Sequence, residues 1–507
     1  MKRFLCLAII AFSSSISIAA ITLPSIISDN MVLQADSIAP IWGNAEPNSK
    51  ITICPSWNKE TIVTESDDQG KWTAKIKTPK KGKKCKLIIS CGKESRTITN
   101  ILIGQVWLCS GQSNMQWTVK QSTNADKELL EAKFPNIRLF SVKRAVAEEP
   151  QNDCFGQWVE CNAETAAEFS AVGYYFGKKL HKKLRTPVGL INSSYGGTPA
   201  QSWTSKDTLI NDPSLKQYVI TDANNKANKD VYEKQYAQTL NEWKKEVMKT
   251  VAAGKPAKRK PKPPLELREE QKSASIYNAM IHPLIPFAIK GVIWYQGESN
   301  ASNADNAILY RTLFPAMISN WRNDWQQGDF PFYYVQLAAF GKTDLTKSNW
   351  ALLREAQTMT LSLPNTGMAV AMDIGEPNNI HPKNKQEVGK RLAIWAFAKD
   401  YGYKNIIYSG PIYKSMQIED DKIRIFFDYA KSGLKTPKRQ SLKGFAIAGE
   451  NGKFVWANAT IEDGTVLVWS DQIKNPKHVR YGWTDYIECN LYNKKNLPAS
   501  PFRTDNF

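Results

Sequence analysis

Four stretches of the chain share one pattern: an apolar run ends abruptly in a loop of small and polar residues. The runs cover 101–108, 187–191, 289–295 and 368–372. Runs of this length predict short strands buried inside a sheet. Helical patterns lie between them, and the positions Tyr310, Phe314, Met317 and Trp321 share one helical face. This alternation predicts an α/β fold over 101–400, with a parallel sheet flanked by helices.

The loops after these strands carry residues that suit catalysis. Ser113 follows the first run, and a serine that opens a helix at the carboxyl end of a buried strand suits a nucleophile. The elbow motif G-x-S-x-G does not fit, because position 115 is Met. Polar loops follow the second and third runs, and the loop after the fourth run contains His381. Because the ends of parallel strands meet at one sheet edge, we expect these loops to share a crevice.

Serine, glycine, asparagine and histidine in this order resemble the four blocks of the SGNH (GDSL-like) hydrolases. The wording GQSNM at 111–115, WYQGESNA at 294–301 and IHP-x-NK-x-x-VG-x-RLA at 380–393 resembles one branch, the sialate O-acetylesterase family. The resemblance extends from about residue 28 to residue 504. It implies an SGNH-hydrolase-like sheet and a serine hydrolase that removes O-acetyl groups from carbohydrates.

Only four histidines are available to activate the serine. His181 lies among lysines, and His478 follows Lys477 in a basic loop. His282 and His381 both occur in Ile-His-Pro, but His282 precedes its strand and belongs to the opposite sheet edge. Position and resemblance therefore both favour His381 as the base.

The residue that orients His381 is less well defined. SGNH enzymes usually carry Asp three residues before the histidine, where this chain has Asn378 followed by Asn379. Asp373 and Glu298 are the alternative carboxylates, together with Glu376. A Ser–His dyad, held by a backbone carbonyl or an asparagine side chain, is equally compatible with the sequence.

The resemblance also implies the donors that stabilise the oxyanion. They would be the backbone N–H of Ser113, the N–H of Gly196 or Gly197, and the side-chain amide of Asn300. The sequence does not choose between the two glycines. Each such donor contributes about 3–4 kcal/mol in the transition state.

Aromatic and amide side chains next to the blocks are candidates for substrate binding. Trp117 and Trp203 have polar neighbours and suit stacking on a sugar, whereas Trp107 and Trp294 belong to predicted strands and suit the core. We expect four of these residues to bind substrate: Gln112, Gln296, Trp117 and Trp203.

The chain ends predict further regions. Residues 1–20 combine Lys2 and Arg3 with an apolar segment and a small-residue cleavage site, which indicates a signal peptide and export to the periplasm or outside. Short strand patterns predict an N-terminal β-sandwich over 21–100 and a β-rich region over 401–507. Between them, 205–272 interrupts the α/β pattern with an amphipathic helix and a Lys/Pro-rich strap, Lys255–Pro264.

Composition restricts the possible partners. The formal charge of +19 suits acidic glycans, but the lysines are spread over every region, so we expect no nucleic-acid partner. Beyond the leader, no run of about 18 apolar residues predicts a membrane anchor. Scarce histidines and absent CxxC pairs argue against a metal, and no cofactor is expected. Cys154–Cys161 and Cys85–Cys91 are near enough in sequence to pair, although spacing alone establishes neither.

The sequence together with the resemblance therefore indicates an exported carbohydrate O-acetylesterase, and the resemblance implies acetylated sialic acid as its substrate. The alternatives are an esterase for acetyl-xylan or another plant glycan, and a non-catalytic carbohydrate-binding protein on an esterase scaffold. The oligomeric state is left open.

Overall fold

The computed structural model describes residues 21–506, so the predicted signal peptide lies outside the described residues. The N-terminal region consists of short strands with turns between them. Its strands are β1 (Val32–Gln34), β2 (Ile38–Asn44), β3 (Lys50–Pro55), β4 (Ile62–Glu65), β5 (Lys71–Lys77), β6 (Gly82–Cys91) and β7 (Glu94–Gly111). Strand β5 alternates strictly between exposed and buried residues, as a strand with one face on a core should. Pro40 lies in β2, whose one strand partner among residues 21–506 is β5, so β2 is an edge strand and tolerates a residue without an N–H.

Strand β7 is 18 residues long and joins two parts of the molecule. Its first part pairs with β6, while residues 105–111 pair with strands of the central sheet. The predicted boundary between residues 100 and 101 therefore falls inside one strand. Asn100 has a φ of +53°, so the backbone turns locally there and the strand continues beyond it.

The central sheet is parallel except at one edge. The further strands are β8 (Phe134–Ser141), β9 (Trp158–Cys161), β10 (Val188–Ser194), β11 (Gly291–Tyr295), β12 (Phe332–Gln336) and β13 (Thr366–Val370). Their order is β13-β12-β11-β7-β10-β8-β9, with β9 antiparallel to β8. The strands on one side of β7 (β8, β9 and β10) come earlier in the chain than those on its other side (β11, β12 and β13). The direction in which the chain adds strands therefore changes at β7. A crevice forms at the carboxyl ends of strands at such a point.

Helices cover both faces of this sheet. The α-helices of the described chain are α1 (Ser113–Gln116), α2 (Ala125–Leu130), α3 (Ala163–Ala167), α4 (Ala171–Leu184), α5 (Lys206–Asn211), α6 (Lys216–Ala227), α7 (Lys229–Ala252), α8 (Ala304–Trp325), α9 (Asn349–Met359) and α10 (Lys385–Lys399). On one face, Trp107 packs against Phe176 of α4. On the other, Trp294 packs against Trp321 of α8. The four positions predicted to form one face of α8 are all fully buried, and the α/β fold class is confirmed.

The insert forms a helical arm with an extended return. Tyr236 and Trp243 of α7 point to the strap: the Tyr236 hydroxyl donates to the Pro261 carbonyl (3.0 Å) and the Trp243 indole donates to the Lys258 carbonyl (3.0 Å). No residue of α7 is buried. The apolar face of the helix is therefore covered by the strap and not by the body of the protein.

The C-terminal region adds antiparallel sheets of its own. Its strands are β14 (Ile412–Glu419), β15 (Lys422–Asp428), β16 (Leu434–Lys435), β17 (Phe445–Ala448), β18 (Val455–Trp456), β19 (Asn458–Glu462), β20 (Thr465–Trp469), β21 (His478–Tyr481), β22 (Tyr492–Asn493) and β23 (Phe502–Arg503). Two four-stranded sheets, β14-β15-β20-β19 and β18-β17-β21-β23, make up most of it. None of these strands pairs with a strand of the N-terminal region. The region is held to the α/β domain by Arg354, whose buried guanidinium donates to the carbonyls of Thr484 and Asp485.

Two further expectations concern membranes and cysteines. Across residues 21–506, the helices are all too short or too polar to cross a bilayer. Within the same range, neither Cys154–Cys161 nor Cys85–Cys91 is joined by a disulfide. Burial raises the pKa of both Cys154 and Cys161 to about 12, so these thiols stay protonated at neutral pH.

Candidate active site

Ser113 lies at a sharp corner between β7 and α1. Gly111 precedes it with a φ of +135°, and a Cβ at that position would lie 2.2 Å from the Tyr295 carbonyl oxygen. Only glycine fits there, because the backbone of β11 passes too close to any side chain. The N–H of Gln112 donates to the same Tyr295 carbonyl (2.9 Å). This contact fixes the corner from which the Ser113 side chain projects.

His381 comes within hydrogen-bond distance of this serine. Its Nε2 lies 2.9 Å from Ser113 Oγ, so the hydroxyl can donate to the neutral imidazole. Burial, and next the positive charge of Lys385, lower the pKa of His381 below its usual value. The imidazole is therefore neutral, as a general base must be, at neutral pH and somewhat below it.

The loop before His381 is held by its own side chains. Asn379 Oδ1 accepts the backbone N–H of His381 (3.0 Å), and Asn379 Nδ2 donates to Glu376 Oε2 (3.0 Å). The other oxygen of Glu376 accepts the backbone N–H of Lys383 (3.2 Å). Asn378 is exposed. Of the two asparagines considered for orienting His381, only Asn379 contacts it, and it does so through the backbone.

The predicted carboxylates are engaged elsewhere. Asp373 forms a two-pronged ion pair with Arg391 (2.6 and 2.7 Å) and accepts the Tyr492 hydroxyl (3.2 Å). Glu298 accepts from the Asn114 amide. Over residues 21–506, no side chain hydrogen-bonds to Nδ1 of His381, so Asp373 and Glu298 do not orient it in this structure. The geometry corresponds to the alternative without an orienting carboxylate.

Instead, an aromatic ring lies against the imidazole. The rings of Trp117 and His381 are stacked, with centroids 4.9 Å apart and an interplanar angle of 19°. Trp117 is also half-buried at the edge of the cleft described below. The residue expected to contact sugar thus also contacts the base.

The predicted oxyanion donors differ in their positions. A Cβ on Gly196 would lie 3.1 Å from the Ser113 Cβ, so its backbone is next to the nucleophile. The N–H of Gly196 donates to Gln116 Oε1 (2.8 Å). Gly197 has a φ of +79°, and its carbonyl accepts from Gln271.

Asn300 lies deeper than the two glycines. Its amide is buried, where Oδ1 accepts the Ala200 N–H (2.9 Å) and Nδ2 donates to Gln201 Oε1 (3.1 Å). These bonds hold the loop after β10. Asn300 therefore holds the loop after β10 in place and does not face the cleft.

Three of the predicted substrate contacts are corrected by their burial. Trp203 is fully buried and packs edge-on against Trp294. Gln296 is fully buried and accepts the Tyr310 hydroxyl (2.9 Å), and Gln112 is nearly so and accepts the Ser299 N–H (3.3 Å). Polar sequence neighbours suggested exposure for Trp203, but tertiary packing turns this side chain and the two glutamines inward.

A cleft of about 470 Å³ opens over the serine and histidine. Its wall carries two adjacent cations, Lys143 and Arg144, and one acid, Glu168. The guanidinium of Arg144 lies over the ring of Tyr195, 5.4 Å from the centroid. Glu168 is paired with Lys120 (2.6 Å), which leaves the two cations as the dominant charge of the cleft.

Two residues beneath the site, Lys385 and Asn114, were not predicted from the sequence. Lys385 is fully buried and donates to Asn114 Oδ1. The Asn114 amide donates to Glu298 and to the carbonyl of Ile380 (3.0 Å). Both missed residues belong to the matched motifs, GQSNM and IHP-x-NK, and this was the signal that could have identified them.

The chain is similar to known proteins over most of its length. A family model for carbohydrate esterases of the sialic acid-specific acetylesterase type matches residues 103–253 and 266–397. The chain belongs to this family. It is 31% identical to a sialate O-acetylesterase of Rattus norvegicus, over 94% of this chain and 93% of that protein. It is 30% identical to the sialate O-acetylesterase of Homo sapiens, over 94% and 91%.

A solved structure agrees with these relatives. A carbohydrate acetylesterase from Xanthomonas citri matches with a TM-score of 0.82 at 34% identity, covering 96% of this chain and all of that one. The protein is thus an ester hydrolase. The stretch between the two matched segments, 254–265, contains the strap, so the strap is not part of the family pattern.

Proposed function

We propose that this esterase removes O-acetyl groups from sialic acid through an acetyl-serine intermediate, with Ser113 as nucleophile and His381 as general base. The observation that carries the mechanism is the 2.9 Å contact between Ser113 Oγ and His381 Nε2 at the cleft. A serine hydroxyl is a weak nucleophile, and a neutral imidazole at this distance removes its proton as the new bond forms.

The reaction proceeds in two balanced halves. Ser113 Oγ attacks the acetyl carbonyl, and its proton passes to His381 Nε2. The tetrahedral intermediate expels the sugar oxygen, which takes that proton from Nε2. Water then attacks the acetyl-serine, giving one proton to Nε2; Ser113 Oγ recovers that proton as acetic acid leaves, and the acid ionises to acetate in solution.

The developing oxyanion needs donors beside Ser113. The backbone N–H groups of Ser113 and Gly196 are the nearest candidates, and each such donor contributes about 3–4 kcal/mol in the transition state. The Gly196 N–H is bound to Gln116 Oε1 in the free enzyme. The oxyanion would take the place of this amide oxygen, so Gln116 must move when the substrate reacts.

The charge of the cleft supports an acidic sugar as substrate. Sialic acid carries a carboxylate, and Lys143 and Arg144 supply the opposite charge in the cleft that Ser113 also lines. A guanidinium binds a carboxylate through two parallel hydrogen bonds. The relatives from rat and man are named sialate O-acetylesterases, which supports the same substrate.

The proposal includes export, as the leader over 1–20 predicts. Extracellular or periplasmic glycans would then be the accessible substrates. N-terminal sequencing of the protein secreted by its native host tests this part: a mature chain beginning near residue 20 supports it, and an intact Met1 contradicts it.

Hydrolysis of p-nitrophenyl acetate by wild type and Ser113→Ala tests the mechanism. We expect Ser113→Ala to lose activity while its melting temperature stays nearly unchanged. Ser194→Ala is the matched control, because Ser194 lines the same cleft but bonds to Asn192 and not to His381. Turnover by Ser113→Ala would overturn the nucleophile assignment.

The substrate is tested separately with Arg144→Gln. This variant should lose kcat/KM on O-acetylated sialic acid and keep it on p-nitrophenyl acetate, since only the acidic sugar needs the guanidinium. If wild type prefers acetyl-xylan and Arg144→Gln changes neither rate, the substrate is a neutral plant glycan.

A further inference from the structure

Beneath the nucleophile lies a buried group of charged residues that the reaction itself does not use. Lys385 is fully buried at the first position of α10, and Glu298 is 8% exposed in the loop after β11. Burying an amine and a carboxylate carries a large desolvation cost unless both are well partnered. This desolvation cost indicates that the two buried charged groups have a role in the protein.

A single amide, that of Asn114, joins the two charges. Its Oδ1 accepts from Lys385, and its Nδ2 donates to Glu298 Oε1 and to the carbonyl of Ile380 (3.0 Å). An ammonium can only donate and a carboxylate can only accept. These partners therefore permit one orientation of the amide and exclude the flipped one.

That orientation connects the two catalytic residues. Asn114 is the residue after Ser113, and Ile380 is the residue before His381. The bond from Nδ2 to the Ile380 carbonyl thus ties the corner of the nucleophile to the loop of the base. If the amide were free to flip, its oxygen would face the Ile380 carbonyl and the two loops would separate.

The ammonium also lies behind the ring that covers His381. Lys385 Nζ is 6.0 Å from the Trp117 ring centroid and 5.1 Å from that of Tyr295. The carboxylates of Glu298 and Glu376 attract the Lys385 ammonium and so raise its pKa, but no carboxylate of the described chain lies within 4.0 Å of it. Its charge consequently reaches His381 and disfavours the protonated imidazole.

We propose that Lys385 is a positioning residue: through the Asn114 amide, whose orientation Glu298 completes, it holds Ser113 and His381 at their reacting distance. This inference rests on the proposed Ser113–His381 mechanism and adds to it the means of alignment, which no orienting carboxylate supplies here. Lys385 touches neither the substrate nor the reacting atoms.

The test compares Lys385→Met with Lys385→Gln on p-nitrophenyl acetate. Methionine removes both the donor and the charge, whereas glutamine keeps an N–H for Asn114 Oδ1. We expect kcat of Lys385→Met to fall by about 100-fold, the size of effect that a misplacement of about 1 Å produces, with KM changed little. Lys385→Gln should recover most of kcat. Lys390→Met, on the exposed side of the same helix, is the matched control and should behave as wild type.

A pH profile separates positioning from a purely structural role. Both Lys385 variants lack the buried cation. In each of them the acid limb of kcat/KM should move to higher pH, because His381 then protonates more readily. Wild-type kcat and an unmoved acid limb in a folded Lys385→Met would overturn the proposal.

A second variant covers the case in which Lys385→Met does not fold. Asn114→Asp keeps an acceptor for Lys385 but cannot donate to Ile380, so kcat should fall while KM is kept. Full kcat in folded Asn114→Asp would also overturn the proposal. Activity in Ser113→Ala, by contrast, would reject the underlying mechanism and leave the role of Lys385 without a reaction to serve.

Discussion

The indole of Trp117 lies flat against the imidazole of His381, with ring centroids 4.9 Å apart. An aromatic face carries partial negative charge, and it attracts a cation above it. In the proposed reaction His381 becomes a cation, when it holds the serine proton. The ring would then give His381 an orientation and some stabilisation where serine hydrolases with a triad use a carboxylate.

Replacing Trp117 should therefore affect the chemical step. Stacked aromatic pairs contribute about 0.5–1.5 kcal/mol beyond their buried area, so Trp117→Ala should lower kcat on p-nitrophenyl acetate by about 2- to 13-fold. Trp117→Phe keeps a ring and should retain most of the rate. A change confined to KM on the sugar substrate would show that Trp117 acts only as a sugar contact.

Asp373→Asn should reduce stability far more than catalysis. The ion pair with Arg391 is buried, with both side chains less than 10% exposed, and breaking such a pair costs about 3–5 kcal/mol. Urea unfolding should show this loss, and kcat of the folded variant should fall by much less than the roughly 10⁴-fold seen when an orienting aspartate is removed. A four-decade loss at unchanged stability would restore Asp373 as a member of a triad.

The rate should persist into mildly acidic solution. Burial and the Lys385 charge lower the pKa of His381 below 6.5, so the neutral base survives below that pH. The acid limb of kcat/KM, which reports the free enzyme, should lie below pH 6.5. The unfolded chain binds this proton first, so stability also falls as the pH drops from 6.5 towards the folded-state pKa. An acid limb above 6.5 would contradict this assignment of the base.

Lys385 should make the fold more stable in alkaline solution. Burial lowers its pKa from 10.5 to about 7, against the smaller effects of Glu298 and Glu376. Between these two values the unfolded state holds more protons, so the contribution of Lys385 to stability rises with pH. Denaturation of wild type and Lys385→Met between pH 7 and 10 measures this contribution. Parallel curves for the two proteins would contradict it.

The strap should matter for large substrates only. Its polar contacts run to α7, including the ion pair of Lys258 with Glu246, and it lies outside the family pattern. Replacing Lys255–Pro264 by a Gly/Ser linker of equal length should leave p-nitrophenyl acetate turnover unchanged and weaken turnover of polymeric acidic glycans. A variant with the strap lysines changed to Gln separates charge from shape. Equal loss on both substrates would show that the strap supports the catalytic domain.

The sequence predicted those parts of the site that depend on the order of the strands along the chain. Ser113 and His381 were recognisable because each follows a buried strand of the parallel sheet, and such strands end at a common edge. Trp203 was misassigned because its polar neighbours suggested exposure, and Gln296 because it stands next to the matched residues of its loop. Burial depends on what the fold packs against a side chain: Trp294 of β11 packs against Trp203, and Tyr310 of α8 against Gln296.

Lys385 shows the opposite limit. In the sequence only its place in the IHP-x-NK motif, at the start of a predicted helix, distinguishes it from the many other lysines. Its burial follows from the close approach of the His381 loop, the Ser113 corner and the loop after β11, three segments that are distant in sequence. Local patterns contain no sign of such a meeting.

The continuity of β7 has a consequence for taking the protein apart. The strand that delivers Ser113 starts inside the N-terminal region, and β1 and β6 pair along its first part. A shortened protein that begins at Ile101 would keep Ser113 but lose the strand partners on both edges of 101–104. The N-terminal region thus supports the strand that leads to Ser113. We therefore expect that cutting the chain at that point would not leave a working esterase.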